Sequence, residues 1–173
     1  YAAREEAEKQ RCLGALRSRY SWLGDFGQAV VRGDVDALIE RCKTFKTEQI
    51  DALLSGWAAS LELGLPVERQ VINWDEARAM SAAGVSFGSH SVSHRILTTL
   101  TPGEVVQEVG DSWAALVPQR VTSVPVFCYP NGDWSADISS SVKAAGYKAA
   151  TTTEFGYEAQ KPTNRFGLKR VNV

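Results

Sequence analysis

Cysteine is scarce in this chain: only Cys12, Cys42 and Cys128 occur, widely separated and in no Cys-x-x-Cys or Cys-x-x-x-Cys arrangement. An odd, scattered set excludes a disulfide framework and a thiolate metal knuckle, and leaves free thiols that are buried or half-buried. Long apolar runs are missing as well, since none approaches the ~20 residues of a membrane span. No membrane partner is therefore expected. Neither sign of charge dominates: Lys+Arg 19 against Asp+Glu 20 leave a formal net charge of -1. That balance removes the bulk electrostatic case for a nucleic-acid or anionic-membrane partner. An initiator Met is also lacking. The sequence starts at Tyr1, and Tyr1-Ala2-Ala3-Arg4-Glu5-Glu6 is too polar for a signal peptide. The expectation is that an upstream piece has been removed, with room in it for a signal sequence.

What is present is enough to fold. The chain has 173 residues, 44% hydrophobic and 23% charged, far from the composition of disorder. Its length suggests one domain, or one domain with a small helical appendage. From residue 1 to about 70 the apolar pattern is helical. Val35, Leu38, Ile39 and Cys42 fall on one stripe, and Ile50, Leu53, Leu54, Trp57 and Leu61 resume the period after a break near Thr44 to Thr47. Asp34 after Gly33, and Thr47 with Gln49 nearby, read as N-terminal caps, while Gly64 before Pro66 reads as a stop. Arg4 to Arg19 is charged enough for a solvated or partner-facing helix.

Beyond Pro66 the pattern changes. Asn73 with Glu76 is a capping box, and the helix it starts should end at Gly84. Val85 to Ser89 reads as a strand. Thr101-Pro102-Gly103-Glu104 is a second start signal, followed by one apolar face of Val105, Val109, Trp113 and Leu116. Val124 to Tyr129 is a β-branched and aromatic run ended by the turn Pro130-Asn131-Gly132. A third helix carries Ile138, Val142 and Ala145 and closes at Gly146. Tyr147 to Thr153 and Phe166 to Val173 are strand-like. Strands alternating with helices predict βα units and a mainly parallel sheet, with chemistry at the carboxyl ends of the strands. Only about four strands can be counted, too few for a closed barrel. An open parallel edge invites a homo-oligomer that completes the sheet.

The only two histidines, His90 and His94, lie just after the strand Val85 to Ser89. Imidazoles four positions apart, on a helical turn or a tight loop, can converge on one metal ion at about 2.0–2.1 Å from each nitrogen. Asp75, Asp111 and Asp133 are the aspartates near enough in sequence to be considered as a third ligand. Each has an ordinary explanation as a helix-terminus, solvated-face or cap residue.

Phe87-Gly88-Ser89-His90-Ser91-Val92-Ser93-His94, followed by Ile96-Leu97-Thr98-Thr99-Leu100, resembles the His-[Ser/Thr]-x-x-His motif of the polysaccharide deacetylases, carbohydrate esterase family four. Phe127-Cys128-Tyr129-Pro130-Asn131-Gly132-Asp133 is similar to that family's aromatic-Pro-x-Gly loop. Val142 to Ala150 and Leu168-Lys169-Arg170-Val171 resemble its later helix and strands. The resemblance implies an α/β fold, a partial (β/α) barrel spanning 71–173, preceded by an insertion-like helical segment over 1–70. It implies a divalent metal, usually zinc, held by His90, His94 and an aspartate, and removal of acetyl groups from a sugar polymer or oligosaccharide. It also implies a backbone N–H near Asn131 as oxyanion donor, Tyr129, Pro130 and Trp134 as substrate contacts, an acetylated glycan as partner, and a bacterial, exported or envelope-associated setting.

The departures are as specific. The family's early Thr-Phe-Asp-Asp-Gly motif supplies the general base and a metal ligand, and no Asp-Asp pair occurs here. Where its late Leu-x-x-His motif has a histidine, this chain has Val171. Where many members carry Arg in the Pro loop, this chain has Cys128 or Tyr129. The expectation is a chain that begins after the first βα units and is inactive or weak alone. The alternative from another class is a non-catalytic glycan- or metal-binding or oligomerisation module.

Overall fold

Asn73, Thr101 and Ser135 each end an extended stretch and start a helix, because each side chain accepts from a backbone N–H that the first helical turn leaves without a partner. A computed structural model describes residues 35–60 and 71–171, together with Ala7, Arg11 and Arg69. The chain divides into two compact units, Tyr1–Arg69 and Gln70–Val173. The readings at Cys12, Arg4 to Arg19, Gly33-Asp34, and Leu61 to Pro66 lie outside the described residues.

In the first unit, α1 (Val35–Cys42) and α2 (Thr47–Ser60) are separated by a short turn, where the break in the apolar period put it. The cap of α2 is shifted by one residue from the expected one. Gln49 Oε1 accepts from Lys46 N–H at 2.9 Å, so Lys46 is the capping position and Thr47 already belongs to the helix. Leu53 is buried, whereas Ile39 and Leu54 of the same apolar stripes remain about half exposed.

In the second unit the order is α3 (Trp74–Ala82), β1 (Phe87–Ser89), α4 (Pro102–Leu116), β2 (Ser123–Cys128), α5 (Ala136–Ala144), β3 (Ala149–Phe155) and β4 (Leu168–Arg170). The capping boxes Asn73/Glu76 and Thr101/Glu104 both form. Gly84 closes α3 at φ +98°, the left-handed conformation glycine adopts without a Cβ clash. Val85 N–H donates to Met80 C=O at 3.0 Å and Gly84 N–H to Ser81 C=O at 3.0 Å, the paired bonds of a Schellman end. The strand begins at Phe87 rather than Val85 for that reason, since Val85 N–H is spent on the helix.

The four strands form one parallel sheet in the order β1-β2-β3-β4. Helices α4 and α5 make the first two crossovers, and a loop over 156–167 makes the third. The apolar face foreseen on α4 is buried through Val105, Val109 and Leu116, and that of α5 through Ile138 and Val142. All of these except Leu116 join Phe127, Tyr129, Tyr147, Ala150 and Leu97 in one core. Each of these larger side chains contributes about 1.5–3 kcal/mol by leaving water. Phe127 meets Tyr147 and Tyr129 edge-on, at ring centroids 5.3 and 5.5 Å apart. Because parallel strands all point one way, their carboxyl ends collect at a single edge.

Candidate active site

At that edge β1 gives way to His90 and β2 ends at Cys128, side by side. His90 Nδ1 lies 2.8 Å from the Cys128 carbonyl oxygen. A carbonyl only accepts, so Nδ1 carries the proton and Nε2 keeps its lone pair for a ligand. The chain then turns sharply, with Ser91 at φ +66° and His94 at φ +60°, both in the left-handed region that L-residues avoid. Of the two geometries open to the histidine pair, the structure adopts the tight loop. His94 N–H donates to Ser91 Oγ at 2.9 Å inside the turn. The two imidazoles meet edge-on, centroids 4.7 Å apart at 78°, and both histidines are exposed.

Glu108, half-buried on α4, grips this turn from the side. Its carboxylate accepts from the N–H groups of Val92 and Ser93, each at 2.9 Å, and from the Ser93 hydroxyl. Burial pushes the Glu108 carboxyl up, and the bonds from Ser93 and Val92 outweigh it and hold the group below its ordinary range. One helical turn earlier, Glu104 pairs with Arg95 at 3.0 Å.

The Pro loop is equally specific. Pro130 to Gly132 is a single 3-10 turn with Asn131 at φ +58° and Gly132 at φ +85°. A Cβ on Gly132 would overlap Thr153 Oγ1 and the Thr153 nitrogen, so the position requires glycine. Thr153 Oγ1 donates to Asn131 C=O at 3.0 Å, and Asn131 Nδ2 donates to Asp133 Oδ2 at 2.9 Å. Tyr129 does not meet the expectation of a sugar contact. It is 2% exposed, its hydroxyl donates to Phe166 C=O at 2.9 Å, and burial pushes its phenol pKa up. Pro130 is likewise fully buried. A residue sealed on the core side offers no surface to a glycan. Trp134 is different: it stacks on Tyr129 at 6.2 Å and 19° and keeps 38% of its surface exposed.

The aspartates do not complete the histidine pair. Asp75 pairs with Arg78 at 2.6 Å on α3, Asp111 is exposed on α4, and Asp133 holds Asn131. Among the described residues no group of three or more His, Cys, Asp or Glu side chains gathers as a metal site. Two adjacent imidazoles, one with its Nδ1 fixed by a carbonyl, are the side chains here that could hold a cation, as two of the four ligands of a tetrahedral site. Cys128 contributes its carbonyl, while its half-buried sulfur accepts from Thr151 Oγ1 at 3.2 Å.

The polysaccharide deacetylase family pattern matches residues 45–150, well over half of the chain. The chain belongs to the polysaccharide deacetylase family. YxkH of Bacillus subtilis, named as a polysaccharide deacetylase, is 27% identical over 99 residues, covering 57% of this chain and 35% of that protein. The Streptococcus pyogenes deacetylase PplD, solved in complex with acetate, superimposes with a TM-score of 0.55 at 23% identity, over 59% of this chain and 45% of its own. A polysaccharide deacetylase from Bacillus cereus gives a TM-score of 0.52 at 24% identity, over 62% of this chain and 34% of its own. At these identities the likeness is one of fold, and the chain spans about a third of the length of the curated relative. The α/β architecture with a parallel sheet is that of the deacetylase neighbours. The relatives are bacterial, and among the described residues no helix is long and apolar enough to cross a membrane.

Two contributors to the site escaped sequence reasoning. The Cys128 carbonyl is main chain and carries no residue signature. Glu108 had a faint one, because it stands four positions after the capping Glu104 and so faces the same side of α4.

Proposed function

We propose that this chain carries the two-histidine side of a metal-dependent deacetylase acting on an acetylated sugar polymer or oligosaccharide. The observation that carries the reading is the edge-on contact of His90 and His94 at the carboxyl edge of the sheet, with His90 Nδ1 tied to the Cys128 carbonyl. A divalent cation, zinc foremost, would supply Lewis acidity toward the acetyl carbonyl and lower the pKa of water to about 7.

The chain's own residues do the following. His90 presents Nε2 because its other nitrogen is committed, and His94 is held beside it by the Ser91 turn. The Asn131 backbone N–H, placed by the left-handed turn after Pro130, serves as a donor to the developing oxyanion. Such donors contribute about 3 kcal/mol because the charge exists only in the transition state. Trp134 offers a ring face to the sugar. The family's Asp-Asp pair, source of the third metal ligand and the general base, does not occur in the sequence, so the 173-residue chain is expected to hydrolyse little by itself.

Elemental analysis of untagged protein offered zinc tests the reading, alongside the His90→Ala, His94→Ala double variant. The expected outcome is about one zinc per chain, lost in the double variant. Zinc retained by the double variant would place the metal elsewhere. No zinc in the wild-type chain would favour the glycan-binding module.

A further inference from the structure

The turn that carries the histidines is poorly suited to hold itself. Two of its L-residues, Ser91 and His94, occupy the left-handed region, which favours glycine because of the Cβ. Its one internal side-chain bond, Ser91 Oγ to His94 N–H, spans three residues. Three further donors of the turn reach outward to a single acceptor. Val92 N–H, Ser93 N–H and the Ser93 hydroxyl all converge on the Glu108 carboxylate, from 15 or 16 residues away in sequence. Arg95, just past His94, is fixed to Glu104 one helical turn earlier on the same helix. The turn is therefore clamped to α4 at two points, and Glu108 is the one that binds between the histidines.

We propose that Glu108 is a positioning residue: it holds the Ser91–His94 turn in its left-handed conformation and thereby keeps the His94 ring against that of His90. Without the carboxylate, Val92 and Ser93 N–H turn to water, the turn relaxes toward ordinary φ values, and His94 swings away. The inference rests on the reading that the two histidines share one cation, but its first consequence is visible without any metal.

The experiment is proton NMR of the imidazole rings in the metal-free 173-residue chain, followed by zinc titration of the same samples. Wild type, Glu108→Ala, Glu108→Gln and Ser112→Ala are compared, each with its thermal midpoint. Ser112 lies on α4 but bonds to Val109 C=O and the Tyr147 hydroxyl, so its loss destabilises the domain without touching the turn. The wild-type rings, with centroids at 4.7 Å, are expected to show a nuclear Overhauser contact. Glu108→Ala is expected to lose it and to bind zinc about 10–100-fold more weakly, as removal of an outer-shell partner does. Glu108→Gln, which keeps an acceptor oxygen, is expected to retain part of both and covers the case in which the alanine variant does not fold. Ser112→Ala is expected to keep the ring contact. Persistence of the contact in Glu108→Ala would overturn the proposal, as would its equal loss in Ser112→Ala. Dependence of the contact on Glu108 in a wild-type chain that takes up no zinc would uphold the positioning role and reject the shared cation.

Discussion

Trp134 and Tyr129 stack on one another, yet only the first has surface to offer. Tyr129 is 2% exposed with its hydroxyl bonded to Phe166, while Trp134 is 38% exposed. The two rings were equivalent as candidates in the sequence, because aromatics on either side of a Pro-Gly turn look alike until burial separates them. Trp134→Ala is expected to lower affinity for an acetylated chitooligosaccharide roughly 2–10-fold, taking a ring-face contact at about 0.5–1.5 kcal/mol. Tyr129→Phe is expected to leave that affinity unchanged and to cost about 1 kcal/mol of stability through the lost hydrogen bond. Calorimetric titration and urea midpoints check the pair. Reversal of the two effects would return Tyr129 to the glycan and make Trp134 a packing residue.

Among the elements, α4 carries more of the site than any strand. It buries Val105, Val109 and Leu116 on one face, and on another it presents Glu104 and Glu108 to the histidine loop. Its start is pH-sensitive with a definite sign. Backbone and side-chain bonds from Thr101, then the side-chain bond from Arg95, hold the Glu104 carboxyl down at about 2, from 4.5. A folded-state pKa below the unfolded one means that the stabilisation is complete above pH 4.5 and is lost as pH falls toward 2. Glu104→Gln is therefore expected to be less stable than wild type at neutral pH. The gap should close across that acid window, as read from denaturant midpoints at stepped pH. A gap of constant size would show that the capping box works without the charge. The helix ends themselves were legible beforehand, since caps and C-terminal glycines act through local backbone bonds. The strand ends were less so, because Val85 is taken by the Schellman end of α3.

At the scale of the whole molecule, the described sheet has four parallel strands, and both β1 and β4 lie at its edges. The chain matches 35–45% of the lengths of YxkH and PplD, and it holds no Asp-Asp pair. Zinc-loaded chain is accordingly expected to release acetate from chitooligosaccharide little above the rate in buffer. Release at a rate of about 1 s⁻¹ or more, in the range of ordinary enzymes, would mean that a general base exists within these residues. The alternation of helices with strands, the core faces of α4 and α5 and the histidine motif at a strand end were all determined by the sequence itself, because periodicity, capping and turn chemistry are local. Tertiary structure alone decided that His90 leans on the Cys128 carbonyl, that Glu108 reaches Val92 and Ser93, and that Tyr129 is sealed while Trp134 is open. Those outcomes depend on which distant backbone groups the parallel sheet brings together, and on which face of a loop the packed core covers, neither of which is encoded in a residue's own neighbourhood.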